Sequence, residues 1–199
     1  SPLAYYRFAL SGSLTREDNT ELLIQSIFGK KLLHVSCSEL IRRPDVKIVR
    51  PYIFMVDVPN YNDKEYMTYA QIRKNCIAIC KERNELIANI AGYMKKYGPT
   101  LLLVGIIDHG KALEKIIPNS VFISGKMPKK KKQKALDDLM SGELEVLIAS
   151  PIIDEGLNLP DLRVLILCDG GKALTKLYQR IGRVVRQSEG KNYGLVVDF

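Results

Sequence analysis

Short runs of consecutive apolar residues alternate along this chain with longer stretches in which apolar positions recur every three or four residues. Leu101-Leu102-Leu103-Val104, Val146-Leu147-Ile148-Ala149 and Val164-Leu165-Ile166-Leu167 are apolar without interruption, the pattern of strands covered on both faces. Val121-Phe122-Ile123 and Leu195-Val196-Val197 are shorter examples. Phe8 to Leu10, Leu32 to Val35 and Ile48 to Val58 also read as strands. Between them the spacing predicts helices. Thr15 or Asp18 caps one that Gly29 stops after Phe28, and a long helical region from about Lys64 to Tyr97 is closed by Gly98-Pro99. Further helices are expected up to Ile117, from Pro128 to Met140, and through Arg186. Buried strands separated by helices predict an α/β fold, a parallel sheet with helices on both faces. In such sheets ligands gather beyond the carboxyl ends of the strands, so the loops after the strands are the places to search.

Composition narrows the class. A chain of 199 residues can bury a substantial core. No apolar run is long enough to cross a bilayer, and Tyr5-Tyr6-Arg7 comes too early for the apolar region of a signal peptide. The four cysteines lack zinc spacing, and Cys76 and Cys80, four apart on an expected helix, read as buried thiols. The expectation is a soluble protein of a reducing intracellular compartment, the cytoplasm, with no metal site of its own. A net charge of +8 favours a polyanionic partner, and nucleic acid is the usual one.

The chemistry concentrates at strand exits and near the C-terminus. Gln179-Arg180-Ile181-Gly182-Arg183-Val184-Val185-Arg186 places three arginines at spacings of three, neighbours on one face of a helix. Cations crowded this way repel unless anions lie opposite, and the guanidinium fork suits phosphate oxygens. After Ala149 the loop runs from Ser150 to Pro160, where the serine hydroxyl can bond a phosphate and Gly156 permits close backbone approach. Ser124-Gly125-Lys126 forms another polar exit, and Lys129 to Lys132 follow it at a helix start, either a solvated face or a phosphate grip. His109, at the exit of another strand, is a candidate phosphate contact. Asp169 reads as a turn cap before Gly170-Gly171, and Arg180 as either a phosphate contact or an ion-pair partner. Gly105 to Lys111 matches G-x-x-x-x-G-K, but Ala112 replaces the hydroxyl that normally ligands Mg²⁺. A standalone P-loop nucleotidase is therefore a rival reading, as is a non-catalytic nucleic-acid-binding module.

Several blocks together resemble the superfamily 2 helicases. Arg7 to Leu14 is similar to their motif III, Leu101 to Leu113 sits where motif IV falls, Ile148-Ala149-Ser150 with Asp154 to Pro160 resembles motif V, and Gln179 to Arg186 resembles motif VI. Phe8 to Leu14, Asp108-His109-Gly110-Lys111-Ala112 and Ile181 to Arg186 look most like the phage UvsW-type recombination and repair helicases. The resemblance implies two RecA-like lobes with ATP between them and a nucleic-acid strand across both. It makes residues 1–29 the end of the first lobe and 30–199 the second. Arg183 and Arg186 match arginines that reach ATP phosphates across the cleft; Gln179, Arg180, Gly156 and Asn158 match other nucleotide-side positions. Many relatives have Asp where Asn158 stands. Ser150, His109, Ser124, Gly125 and Lys126 fall on the nucleic-acid side, and Ser11 and Ser13 match residues that couple nucleotide state to strand grip. The implied partners are DNA, with RNA an alternative, and the missing first lobe. The implied cofactors are ATP and Mg²⁺, the metal held mainly by that absent lobe. The chain alone is then expected not to hydrolyse ATP.

Overall fold

The computed structural model describes residues 5–10, 21–43, 45–46, 48–58, 68–150, 159, 161–169 and 174–199. Those residues form a six-stranded sheet in the order β1-β6-β5-β2-β4-β3. The strands are β1 (Arg50–Met55), β2 (Thr100–Leu103), β3 (Ser120–Ile123), β4 (Val146–Ala149), β5 (Val164–Leu167) and β6 (Tyr193–Asp198), and every pairing is parallel. The uninterrupted apolar runs make the centre, β5-β2-β4, where both faces are covered and no inward position tolerates a charge.

Alternation along the strands sorts the core into two layers. Leu101, Leu103, Leu147, Ala149, Leu165 and Leu167 face one side, where they meet Ala135, Leu136 and Leu139 of α6 (Lys129–Ser141) and Val184 of α7 (Leu174–Val184). Leu102, Val146, Ile148, Val164 and Ile166 face the other, against Ile87 and Ala91 of α4 (Lys81–Met94) and Leu113 of α5 (Ile107–Ile116). Each fully buried Leu or Ile contributes roughly 1.5–3 kcal/mol of transfer free energy, and this is the main force seating the helices.

The N-terminal part differs from its sequence pattern. Phe8 to Leu10 and Leu32 to Val35 form no strand, and Phe8, Leu10, Leu32 and Leu33 are exposed. A strand exists only through a partner, and no described neighbour supplies one here. The expected helix is present as α1 (Glu21–Phe28), closed by Gly29 in the left-handed region at φ 80°. Its Leu22, Leu23, Ile27 and Phe28 are all exposed, so this helix joins neither core layer. A second short helix, α2 (Cys37–Arg42), starts in a capping box between Ser36 and Glu39. The strand expected from Ile48 to Val58 shortens to β1.

The long helical region is real but broken. From Tyr69 the chain makes one α turn, α3 (Tyr69–Ile72), and then a π-helical stretch, Arg73–Ala78. It restarts at α4 with Cys80 as N-cap, its sulfur accepting from Arg83 N at 3.4 Å. Gly98, at φ 131°, ends it as the sequence indicates. Among the described residues no helix is long and apolar enough to cross a membrane.

Candidate functional site

The strand β2 lies between β4 and β5, and the chain leaves it toward one side of the sheet and returns on the other. Such a switch in strand order opens a crevice at the carboxyl edge. Three strand exits meet there. Val104 N donates to Ala149 O at 3.0 Å and Cys168 N to Leu103 O at 2.9 Å, which sets Gly105, Ser150 and Asp169 side by side. Ser150 is 4% exposed, and its Oγ has no hydrogen-bond partner among the described residues. A buried hydroxyl left unpaired costs about 1–3 kcal/mol, so this atom suits an acceptor brought from outside the lobe. Gly156 and Asn158 follow in the same loop and lie outside the described residues, as do Ser11 and Ser13.

Asp169 does not simply cap a turn. Its carboxylate pairs with the Arg73 guanidinium from the π-helical stretch, with Asp169 buried and Arg73 partly exposed. A Cβ on Gly105 would overlap the ends of both side chains, so any other residue there makes one or both of them shift. Next to it Arg83 donates from Nη2 to Cys168 O at 3.3 Å and lies over the Phe199 ring. No local pattern announces this cluster, because its partners lie in separate elements and meet only through sheet topology.

The structure corrects the reading of His109 as a phosphate contact. This residue is fully buried in α5, and its Nε2 lies 2.9 Å from Asn84 Oδ1. Asn84 Nδ2 already donates to Ala78 O at 3.1 Å, so Oδ1 accepts and the histidine carries its proton on Nε2. Burial, with Arg83 nearby and Asp169 in partial opposition, pushes its pKa down to about 4. A neutral, enclosed imidazole makes no phosphate contact. Instead it ties α5 to α4.

The G-x-x-x-x-G-K resemblance also dissolves. A phosphate-cradling loop needs free backbone N–H groups ahead of its helix. Here the helix begins at Ile107, and Gly110 N already donates to Ile106 O at 3.2 Å. Gly110 is glycine because the Phe122 ring occupies the space of a Cβ.

At the β3 exit, Ser124 and Gly125 are half-buried and Lys126 is exposed. Met127 N donates to Ser124 O at 3.0 Å, and Lys132 Nζ donates to Gly125 O at 2.7 Å, closing the turn before α6. Lys129, Lys130 and Lys131 remain exposed on the first turn of that helix, where the dipole disfavours cations.

The arginine segment is split. The helix α7 ends at Val184, not at Arg186. Val184 packs into the space left by Gly194 on β6, Val49 N donates to Val185 O at 2.9 Å, and Arg186 forms an antiparallel bridge with Ile48. Arg180 and Arg183 thus share the helix surface, half-exposed, with Gln179 exposed beside them. Arg186 is exposed on an extended segment. Because α7 runs back from the carboxyl edge, Arg180 lies about 9 Å and Arg183 about 14 Å along the helix axis from Leu174, and Arg186 lies beyond its end near the start of β1. The candidate residues therefore form two surfaces: Ser150 with Ser124 to Lys126 at the carboxyl edge, and Gln179 to Arg186 at the opposite end of α7.

The parallel sheet with helices on both faces and the motif VI segment on its last helix define a helicase C-terminal lobe. Residues 71–188 match the helicase conserved C-terminal domain, and the chain belongs to that family, the second RecA-like lobe of superfamily 2 helicases. It is 28% identical to a putative helicase of Sulfolobus islandicus filamentous virus over 96% of this chain and 37% of that protein. It is 24% identical to the ATP-dependent DNA helicase uvsW of Enterobacteria phage T4, over 98% of this chain and 40% of that one. The crystal structure of T4 UvsW matches with a TM-score of 0.55 at 22% identity, over 75% of this chain and 31% of that chain. The chain thus spans less than half the length of these relatives.

Proposed function

We propose that this chain is the second motor lobe of an ATP-dependent DNA helicase or translocase acting in recombination or repair. Residues 1–29 close the first lobe and 30–199 form the second. The exposed apolar side chains of α1, which join neither core layer, support that boundary. The observation that carries the reading is the family match over residues 71–188, which includes the solvent-accessible arginine segment that closes α7.

ATP with Mg²⁺ supplies the phosphoryl group whose transfer to water drives the cycle. Arg183 and Arg186 reach the nucleotide phosphates from across the interlobe cleft; Arg183 is half-exposed on the last turn of α7 and Arg186 exposed just beyond it, which suits that task. Gln179 and Arg180 brace the same pocket, while Gly156 and Asn158 approach the sugar and phosphates. The reading leaves Mg²⁺ to the first lobe. At the carboxyl edge Ser150 Oγ donates to a phosphate of the tracked strand, with Ser124, Gly125 and Lys126 beside it. Ser11 and Ser13 couple the two surfaces from the first lobe.

The test rejoins the chain to its upstream lobe and measures ATP turnover and nucleotide binding. Arg183→Ala should lower turnover by about 10³-fold or more while nucleotide binding largely survives. Unchanged turnover removes Arg183 from the site. Equal stimulation of turnover by RNA and single-stranded DNA would overturn the choice of DNA.

A further inference from the structure

We infer that Ile48 and Val49, the two residues that lead into β1, are positioning residues for Arg186. The inference rests on the motor reading above and gives a role to residues outside the matched region 71–188. Local spacing would keep Arg186 on the helical face that carries Arg183. The chain does otherwise. Val185 N still donates to Ile181 O at 3.1 Å, but Arg186 N donates to Arg183 O at 3.4 Å, only three residues back, and the α-helical ladder has ended. A pairing with residues far earlier in the chain takes its place. Val49 N donates to Val185 O at 2.9 Å, and Arg186 bridges antiparallel with Ile48.

This seam is closed on its backbone side and open on its arginine side. Val49, Val184 and Val185 are buried, while Arg186 is exposed and Arg183 half-exposed. Val184 fits against Gly194 of β6, where a Cβ would overlap both its side chain and its carbonyl. In the β1–β6 pairing Arg50 lies opposite Tyr193, so the residue after Val49 faces the residue before Gly194. The close of α7 is thus held by two neighbouring strands, and close packing leaves it little room to shift. A buried N–H must find a partner, so the bond that satisfies Val49 N also fixes the residue before Arg186. The consequence for chemistry is one of direction. On a continued helix the two cations would sit one turn apart on one face and repel. With Arg183 on a helix and Arg186 on an extended segment, the two guanidinium groups leave differently oriented backbone and can approach one triphosphate from two sides.

Two substitutions at Val49 separate positioning from packing. Val49→Pro removes the N–H and keeps most of the apolar volume, whereas Val49→Ala keeps the N–H and gives up volume. In the full-length protein, kcat and KM for ATP, oligo-dT affinity and the thermal midpoint are measured for each. Val49→Pro should lower kcat by about tenfold to a hundredfold, since a misplacement of about 1 Å can cost that much. Its KM for ATP and its oligo-dT affinity should stay within about twofold of wild type. Val49→Ala, the conservative variant, should lower the midpoint and hold kcat within about twofold. Gly194→Ala presses on Val184 from the other side of the seam and should reproduce the kcat loss; it decides the matter if Val49→Pro does not fold. An unchanged kcat in Val49→Pro, or an equal loss in Val49→Ala, overturns the inference. Arg186→Ala in the same assay separates the two proposals. Full turnover there removes Arg186 from the ATP site and defeats the motor reading of that residue, whereas an inactive Arg186→Ala beside a fully active Val49→Pro refutes only the positioning role.

Discussion

His109 and Ser150 are both polar side chains that the sequence places after apolar strands, and burial with hydrogen bonding divides them into different roles. His109 is enclosed with its Nδ1 unpaired among the described residues, and the folded protein holds it neutral, with a pKa of about 4 against an ordinary 6.5. The unfolded chain therefore binds this proton more readily than the folded one. Its stabilising contribution is complete above pH 6.5 and is lost as pH falls toward 4. At about 1.4 kcal/mol per pH unit, the loss is at most about 3.5 kcal/mol. His109→Gln keeps an amide N–H for Asn84 and cannot titrate. The difference in unfolding free energy between wild type and His109→Gln should shift against wild type across this window; a pH-independent difference contradicts the assignment. Ser150 belongs to the other class, a buried hydroxyl next to a loop. Nothing in the sequence distinguishes the two, because both follow an apolar run and lie close to a glycine-containing segment.

At the level of elements, three glycines in or against helices carry opposite expectations. Gly110 lies under the Phe122 ring and Gly194 under Val184, so a methyl group at either overlaps its neighbour. Gly110→Ala should destabilise the lobe by about 1–3 kcal/mol through overpacking. Gly182, inside α7, is different, since a Cβ there would meet nothing within 4 Å. Gly182→Ala should therefore raise stability by up to about 1 kcal/mol from helix propensity alone, read as an unfolding midpoint higher by roughly 2–4 °C. A fall in the midpoint would show that Gly182 has a packing role within the lobe. The lysines at the start of α6 give a second test at this scale. Replacing Lys129, Lys130 and Lys131 by Gln should reduce the salt dependence of single-strand binding, by about 0.7 in the log–log slope for each phosphate no longer neutralised. An unchanged slope makes them a solvated face.

For the molecule as a whole, the parallel direction of the strands and the two core layers follow from strand runs that are apolar at every position. The outer parts were less legible. The expected strand Leu32 to Val35 and the helix continuing to Arg186 obey local propensity, but neither survives the fold. Leu32 and Leu33 find no partner strand among the described residues, and Arg186 is drawn into a bridge with Ile48, far earlier in the chain. If the lobe reading holds, the isolated chain should bind single-stranded DNA weakly and show no ATP turnover, and adding the upstream lobe should restore turnover. Hydrolysis by the isolated 199 residues would instead require a nucleotide site within this chain.

Near neighbours and period were enough to specify the buried central strands, the helices between them, the glycine stops at Gly29 and Gly98, and the order of the helicase-like blocks. Which distant groups meet was settled only when the elements packed: Arg73 with Asp169 over Gly105, His109 with Asn84, and the separation of Ser150 from the arginines by the length of α7. The reason is physical. Periodicity reports which face of an element is buried, but the order in which parallel strands are laid side by side sets which loops become neighbours, and that order is written in no local stretch of the chain.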